Sequence, residues 1–282
     1  MVEGLYIVEP AGRYMRLLFK VQRVYALEQS PYQEVVLAEI EGFGRSLLLD
    51  KFVQSTEKDE YIYHELLVHP AMAMHPHPER VLVLGGGEGA TLREVLKYNT
   101  VKEAVMVDID PVVVEFSKKY LEHMHKGSFS DPRARVVIMD GKDYIKQAPS
   151  SFFDVVIMDL TDPYASEIAK PLYSPEAFKE VKRILKPDGV VATQAGSSYF
   201  YPSEYKYVLE SVKSCFKNVS EYWFWVPSFG LNVNFIVASD VYKLENEVSE
   251  LDKRLKARGV STRLVNARFI EGLLKIGVLY PE

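Results

Sequence analysis

The stretch VLVLGGGEGATLREVLKY, residues 81–98, decides the fold of this chain. Its first part, 81–86, is a continuous apolar run that ends in glycines and predicts a buried parallel strand. Its last part, 90–98, has the spacing of an amphipathic helix. Glycines in between allow a tight turn and let a ligand approach the backbone closely. The stretch therefore predicts a strand, a ligand-binding loop and a helix.

The alternation of strands and helices continues along the chain. Further strands are predicted at 104–108, 135–140, 154–159 and 189–194. Asp110-Pro111 and Ser174-Pro175 each place a capping side chain before a proline and predict helix starts. Two strands between about 220 and 239 follow each other with no helix between them, which predicts an antiparallel hairpin. We expect an α/β fold with a Rossmann-like, methyltransferase-type sheet that ends in this hairpin. For residues 241–282 we expect a charged helix, a short strand and a second helix.

The first 56 residues differ from the rest. Residues 1–56 read as short strands with a hairpin turn at EGFG, 41–44, and show no helical period. Helical spacing begins in EKDEYIYHELLVHPAMAM, 57–74. We predict a small antiparallel β domain over 1–56 and a Rossmann-like catalytic domain over 57–282.

Composition excludes several classes of protein. Hydrophobic residues make up 48% of the 282 residues, which is enough for a large core. The formal net charge is −5 and the basic residues are scattered, which argues against nucleic acid as a partner. The chain shows no apolar run of about 18 residues and no signal-peptide pattern, so we expect neither a membrane span nor export. The single cysteine fits a cytoplasmic protein. The pairs His75/His77 and His123/His125 lack partners at ligand spacing, so no metal is predicted.

The glycine loop allows two ligands. Gly85, Gly87 and Ala90 fit a dinucleotide fingerprint, whereas Gly85, Gly87 and Gly89 fit proteins that bind an adenosyl sulfonium. Glu88 lies inside this loop, where a carboxylate repels a pyrophosphate and attracts a cation. The loop therefore favours a sulfonium or ammonium ligand.

Acidic residues follow several of the predicted parallel strands. Carboxyl ends of parallel strands meet in one crevice. Asp108, 23 residues after Gly85, suits the ribose hydroxyls, and Asp140-Gly141 lies where an adenine would bind. The acids expected to converge are Glu88, Asp108, Asp140, Asp159 and Asp162. So many carboxylates in one cleft repel each other unless a polycation binds there, so we expect a substrate with several positive charges.

The motifs YHE (63–65), GGGEGA (85–90), VDID (107–110), MDG (139–141) and DLTDP (159–163) together resemble the spermidine/spermine synthase family of aminopropyltransferases. Within that family, Glu88, YHELLVHP, TQAG (193–196) and VPSF (226–229) look closest to thermospermine synthases. The resemblance implies transfer of the aminopropyl group of decarboxylated S-adenosylmethionine to a polyamine. Spermidine would give thermospermine or spermine, with methylthioadenosine as by-product. It also implies a homodimer or homotetramer.

The resemblance also implies roles for individual residues. Asp159 would be the base that deprotonates the amine, and Tyr63 would position it. Residues implied to contact the polyamine are His64, Asp162, Gln194 and Phe229. Residues implied to bind the donor are Gln33 on its sugar side, Gln54, Gly85, Gly87, Glu88, Asp108, Asp140 and Gly141.

Three alternatives stay open. His64 replaces a glutamine and Phe229 replaces a tyrosine of spermidine synthases, which favours an acceptor longer than putrescine. A spermidine synthase that uses putrescine or another diamine is the first alternative. The second is an S-adenosylmethionine-dependent methyltransferase, whose donor carboxylate Glu88 would repel. The third is a polyamine sensor without catalytic activity.

Overall fold

The computed structural model describes residues 4–12, 14–165 and 167–281. Residues 1 and 282, where the two predicted domains begin and end, lie outside these ranges. The first described strands form an antiparallel sheet in the order β1-β2-β3-β4-β5. They are β1 Leu5–Ala11, β2 Met15–Gln29, β3 Glu34–Ile40, β4 Gly44–Leu49 and β5 Phe52–Thr56.

A second sheet follows with the order β11-β12-β10-β9-β6-β7-β8. Its strands are β6 Arg80–Gly85, β7 Glu103–Asp108, β8 Ala134–Ile138, β9 Phe153–Asp159, β10 Leu185–Gln194, β11 Asn218–Val226 and β12 Leu231–Ser239. Strands β6 to β10 pair in parallel, and β12 runs antiparallel to both β10 and β11. The predicted fold class, a Rossmann-like sheet with a terminal hairpin behind a small antiparallel sheet, is confirmed.

The helices cover both faces of the second sheet. They are α1 Glu60–Met74, α2 Ala90–Leu96, α3 Pro111–Tyr120, α4 Glu122–His125, α5 Gly141–Gln147, α6 Pro175–Ile184, α7 Pro202–Lys213, α8 Leu244–Glu247, α9 Leu251–Ala257 and α10 Ala267–Ile276. The predicted caps form: the Asp110 side chain accepts from Val112 N–H and the Ser174 side chain accepts from Ala177 N–H. In the described residues no helix is long and apolar enough to cross a membrane. The cytoplasmic location stays a prediction.

Two sequence predictions are wrong. Helix α2 is not amphipathic: each of its residues is buried, because α1 and α4 pack against it. The strand expected in 241–282 does not form within the described part of that segment. Instead, the buried carboxylate of Glu65 accepts backbone N–H bonds from Arg263, Leu264 and Val265 at 2.7–3.1 Å, so these amides need no partner strand.

Candidate active site

A cavity opens at the carboxyl ends of the parallel strands, between them and the N-terminal sheet. Thirteen of the fourteen predicted site residues line it: Gln33, Gln54, Tyr63, Gly85, Gly87, Glu88, Asp108, Asp140, Gly141, Asp159, Asp162, Gln194 and Phe229. Parallel strands end side by side, so acids that are far apart in the sequence meet here. His64 is not among the lining residues.

The glycine loop passes directly over the end of β9. Gly85 has φ +80°, and a Cβ there would lie 2.0 Å from the carbonyl oxygen of Asp159. The next amide, Gly86 N–H, donates to that same oxygen at 2.9 Å. A Cβ at Gly87 would lie 2.6 Å from Asp108 Oδ2. Only glycine allows the loop to come this close to the two acids.

Asp108 ends β7 in a half-buried position beside the loop. Its Oδ1 accepts from Asp110 N–H at 2.9 Å. Burial, followed by the negative charges of Glu88 and Asp110, raises the pKa of Asp108 to about 7. Asp110 Oδ2 accepts from Ser30 Oγ at 2.7 Å and from Gln33 Nε2 at 3.0 Å. Asp110 therefore holds Gln33 in place. This contact joins the N-terminal sheet to the side of the cavity that carries Asp108.

Asp140 and Gly141 lie at the start of α5. The Asp140 side chain accepts from Lys142 N–H at 2.7 Å and so caps this helix.

On the opposite wall, Gln54 reaches the cavity from β5, and its Nε2 donates to Phe52 O at 3.3 Å.

Asp159 ends β9 and has a hydroxyl donor on each oxygen. Tyr63 Oη donates to its Oδ1 at 2.7 Å, and Thr91 Oγ1 donates to its Oδ2 at 2.6 Å. Burial and the charge of Glu88 raise the pKa of Asp159 to about 6, although these two donors and His64 oppose the shift. Burial also raises the pKa of Tyr63 well above its usual value, so the phenol stays neutral and keeps donating. Asp159 is therefore a carboxylate at neutral pH with a basicity above that of an exposed aspartate.

Asp162 lies three residues further on, within an aromatic wall. Tyr164 Oη donates to its Oδ2 at 2.7 Å, and the Tyr164 ring stacks on Tyr201 with centroids 3.5 Å apart. Burial raises the pKa of Asp162 to about 6. Glu9 of β1 is a buried acid near Asp162. Burial, followed by the negative charge of Asp162, raises the pKa of Glu9 to about 8, although Val53 N–H donates to it at 2.8 Å.

His64 and Gln194 hold other parts of the site in place. His64, which is 1% exposed, lies behind Glu88, with its Nε2 2.6 Å from Glu88 Oε1. The geometry therefore does not support the predicted contact of His64 with the polyamine, because Glu88 lies between it and the cavity. Gln194 Nε2 donates to Leu160 O and to Tyr173 Oη, both at 2.7 Å. Gln194 thus supports the loop that carries Asp162.

Phe229 is in the short turn between β11 and β12. Its ring lies against that of Tyr63, with centroids 5.9 Å apart in an edge-to-face arrangement. Phe229 therefore packs beside the proposed amine-positioning residue.

Two groups of side chains bring three potential metal-ligand atoms within 4.8 Å of one another among the described residues: His64, Glu88 and Asp159, and Glu65, His69 and Glu94. In the first, His64 Nε2 already bonds Glu88, and in the second, His69 Nε2 bonds Glu94 Oε2 at 2.8 Å. The prediction that no metal binds stays a prediction.

Two family models match the chain. The spermine/spermidine synthase domain matches residues 60–249, and the spermidine synthase tetramerisation domain matches residues 6–57. The chain belongs to the spermine/spermidine synthase family. The resemblance stated from the five motifs is thereby confirmed at the level of the family.

Relatives in the same family cover almost the whole chain. A polyamine aminopropyltransferase of Pyrobaculum calidifontis is 53% identical over 277 residues, which is 96% of this chain and 95% of the relative. Polyamine aminopropyltransferase 1 of Hyperthermus butylicus is 52% identical over 262 residues, 92% of this chain and 89% of the relative.

Two solved family structures share the fold. A spermidine synthase in complex with the transition state analogue AdoDATO matches with a TM-score of 0.91 and 29% identity, over 96% of this chain and 91% of that chain. The spermidine synthase of Thermotoga maritima matches with a TM-score of 0.89 and 29% identity, over 97% and 91%.

Three residues around the acids are not among those predicted from the sequence: Glu9, Thr91 and Tyr164. Glu9 is the one acid in the strand LYIVEPA, and an acid among apolar strand residues could have pointed to it. Thr91 follows the glycine loop directly, where a hydroxyl in the first helical turn faces the neighbouring strand end. Tyr164 carried no such signal, because its contact with Asp162 depends on how the loop after β9 folds.

Proposed function

We propose that this protein, a polyamine aminopropyltransferase, uses decarboxylated S-adenosylmethionine as donor and spermidine as acceptor. The products would be thermospermine or spermine and methylthioadenosine. The single observation that carries the proposal is the row of carboxylates that lines one cavity, with Asp159 between a phenol and a threonine hydroxyl. A site that concentrates acids in this way suits a ligand with several ammonium groups.

Donor binding is supported by the geometry of the loop and of Asp108. The glycines admit the adenosyl group close to the backbone, and the Asp108 carboxylate at the end of β7 suits the ribose hydroxyls. Asp140 and Gly141 at the start of α5 would face the adenine, and Gln33 and Gln54 would reach the donor from the N-terminal sheet. The family structure solved with AdoDATO supports the same class of donor for this chain.

The proposed reaction is a substitution at the carbon next to the sulfonium. An amine with a pKa of about 10 is protonated at neutral pH, so it must lose a proton before it attacks. Asp159 would take this proton while Tyr63 orients the amine. A nitrogen–carbon bond then forms, the carbon–sulfur bond breaks, and its electron pair stays on the sulfur, which leaves as the neutral thioether of methylthioadenosine.

The choice of spermidine rests on the far end of the cavity. Asp162 would bind an ammonium that does not react, and Glu9 is a buried acid close enough for the charge of Asp162 to raise its pKa. Phe229 supplies an apolar ring where a methylene chain would pass. The substitution at His64 no longer supports the choice, because His64 lies behind Glu88. A spermidine synthase acting on putrescine is the second candidate, since the two solved structures described above are called spermidine synthases.

One product analysis separates these functions. Purified protein is incubated with decarboxylated S-adenosylmethionine and either putrescine, cadaverine, agmatine or spermidine, and the products are compared chromatographically with thermospermine and spermine standards. We expect methylthioadenosine and a tetraamine from spermidine at the highest kcat/KM. A product from putrescine alone would refute the choice of acceptor, and absence of methylthioadenosine with every amine would refute the function. S-adenosylmethionine serves as the control donor for a methyltransferase.

We further propose that the protein is a homo-oligomer built partly through the N-terminal sheet. A tetramerisation domain model matches 6–57, and this sheet exposes apolar side chains, including Leu5 and Leu27 at 61% and 62%. Light scattering of the purified protein measures the mass of the assembly. A monomer at micromolar concentration would refute this proposal.

A further inference from the structure

A chain of buried ion pairs leads from the cavity into the protein interior. It starts at Glu88, whose Oε1 lies 2.6 Å from His64 Nε2. His64 Nδ1 lies 2.8 Å from Glu60 Oε2. The Arg93 guanidinium binds both oxygens of Glu60, at 3.0 and 2.9 Å. Acidic and basic groups therefore alternate, and Glu88 is the member that lines the cavity.

The chain ends at a lysine near the surface. Arg93 Nε donates to Glu94 Oε1 at 2.8 Å, and Glu94 Oε2 lies 2.6 Å from Lys97 Nζ. The Lys97 side chain is 31% exposed, so this end reaches solvent. The carboxylates of Glu60, Glu88 and Glu94 thus contact His64, Arg93 and Lys97, and Glu94 Oε2 also lies 2.8 Å from His69 Nε2.

The contacts of His64 require an imidazolium. Both ring nitrogens face carboxylates, which only accept hydrogen bonds, so both nitrogens must carry a proton. A buried charge is costly unless it is paired, and here it is paired on both sides. Burial lowers the pKa of His64, but the hydrogen bonds that its ring donates to Glu60 and Glu88 outweigh burial and raise the pKa to about 10. Asp159 adds a further negative charge near His64. The Tyr63 ring lies edge-to-face against the His64 ring, with ring centroids 5.1 Å apart.

We propose that His64 is a positioning residue: as a buried imidazolium it fixes the orientation of Glu88, and Glu60 with Arg93 hold His64 in that form. The inference rests on the proposed function, since Glu88 is assigned there to the cationic ligand. Because His64 engages Oε1, the ligand ammonium is left with Oε2. The free Oε2 then sets the direction from which the ammonium approaches Glu88. Because the imidazolium balances the charge of Glu88, this residue adds little to the repulsion among the cavity acids.

A mutant cycle tests this role. The variants are His64→Gln, Glu88→Gln and the double variant, with kcat and KM for donor and acceptor measured from about pH 5.5 to 9.5. Without the imidazolium, Asp159 loses a nearby positive charge that lowers its pKa, so the pKa of Asp159 rises further and the acid limb of kcat/KM moves to higher pH. We expect KM for the ligand held by Glu88 to rise about tenfold, the size of coupling found within one network. The double variant should be no worse than Glu88→Gln alone.

His69→Gln is the matched control. His69 lies on the same helix, is fully buried and makes the same kind of contact, with Glu94 at 2.8 Å. We expect this variant to lower Tm as His64→Gln does but to leave the acid limb unmoved. Additive losses in the double variant, or an equal shift of the acid limb in His69→Gln, would overturn the proposal and leave His64 with a structural role only.

A measurement on the unmodified protein keeps the proposal testable if the variants do not fold. Nitrogen-15 spectra of histidine-labelled protein at pH 8 should show one histidine with both ring nitrogens protonated. Its signal is assigned to His64 by its loss on substitution of that residue, or by its broadening with a paramagnetic probe in the cavity. A neutral tautomer at His64 overturns the proposal. This readout does not depend on turnover, so an inactive wild-type enzyme would refute the proposed function while the charge of His64 is still decided.

Discussion

Replacing Asp159 with asparagine tests the proposed base directly. The variant keeps the size and shape of the side chain. In the variant, Oδ1 can still accept from Tyr63 Oη, which lies 2.7 Å from Oδ1 in the wild-type protein. The new amide group takes the place of Oδ2, 2.6 Å from Thr91 Oγ1, and the threonine hydroxyl can rotate to accept from it. We therefore expect the fold to persist, with little change in Tm.

The loss of rate follows from the loss of proton transfer. General base catalysis contributes about 10²- to 10⁴-fold, so kcat should fall by that factor. At 1.36 kcal/mol for each tenfold change, this corresponds to about 2.7–5.4 kcal/mol of barrier. Since the pKa of Asp159 is about 6, roughly 99% of the wild-type carboxylate is ionised at pH 8. The comparison at pH 8 therefore measures the whole effect.

The assay is methylthioadenosine release at saturating donor and spermidine at pH 8. Thr91→Val is the matched control, because it keeps the carboxylate and removes one of its donors. Loss of that hydrogen bond should raise the pKa of Asp159 further, move the acid limb to higher pH and leave kcat at pH 8 within about threefold of wild type. A kcat of Asp159→Asn within threefold of wild type, with unchanged Tm, would refute the reasoning, because another group would then accept the proton.

Three further predictions follow from the same contacts. Gly85→Ala should abolish most activity and lower Tm, because the new Cβ would lie 2.0 Å from Asp159 O. Gly42→Ala is the control: Gly42 has a similar positive φ but no atom within 4 Å, so this variant should lower Tm only by the backbone strain. Because the pKa of Asp108 is about 7 and that of Asp159 about 6, kcat/KM should fall as pH falls below about 7, where these acids gain protons; a flat profile down to pH 5 would contradict the assignment. Glu65→Ala should lower the free energy of unfolding by about 3 kcal/mol or more in urea titrations, because three backbone amides lose their buried acceptor, and Glu65→Gln should lose less.

Much of the fold could be predicted because its signals are local. The apolar run before Gly85 and the capping pairs at Asp110 and Ser174 each act within a few residues, and the structure bears them out. The errors fall where packing decides. Helix α2 was expected to have a polar face, but α1 and α4 cover it, and the loop held by Glu65 was expected to include a strand.

The candidate site divides in the same way. Convergence of the strand-end acids could be predicted, because carboxyl ends of parallel strands always share one edge. The place of His64 could not, because its neighbours Tyr63 and Glu65 give no sign of which side chain faces the cavity and which faces the loop. Nor could the proximity of Glu9 to Asp162, since 153 residues separate them and only the docking of the N-terminal sheet brings them together.

The sequence by itself determined the family, the fold class and the set of acids that meet at one edge of the sheet. These depend on residue type, order and spacing, which the chain carries before it folds. The tertiary structure alone decided how those acids behave: which are buried, which accept hydroxyl donors and which is matched by an imidazolium. A pKa depends on the water excluded and on the charges within a few ångströms, and both arise only when distant segments pack against each other.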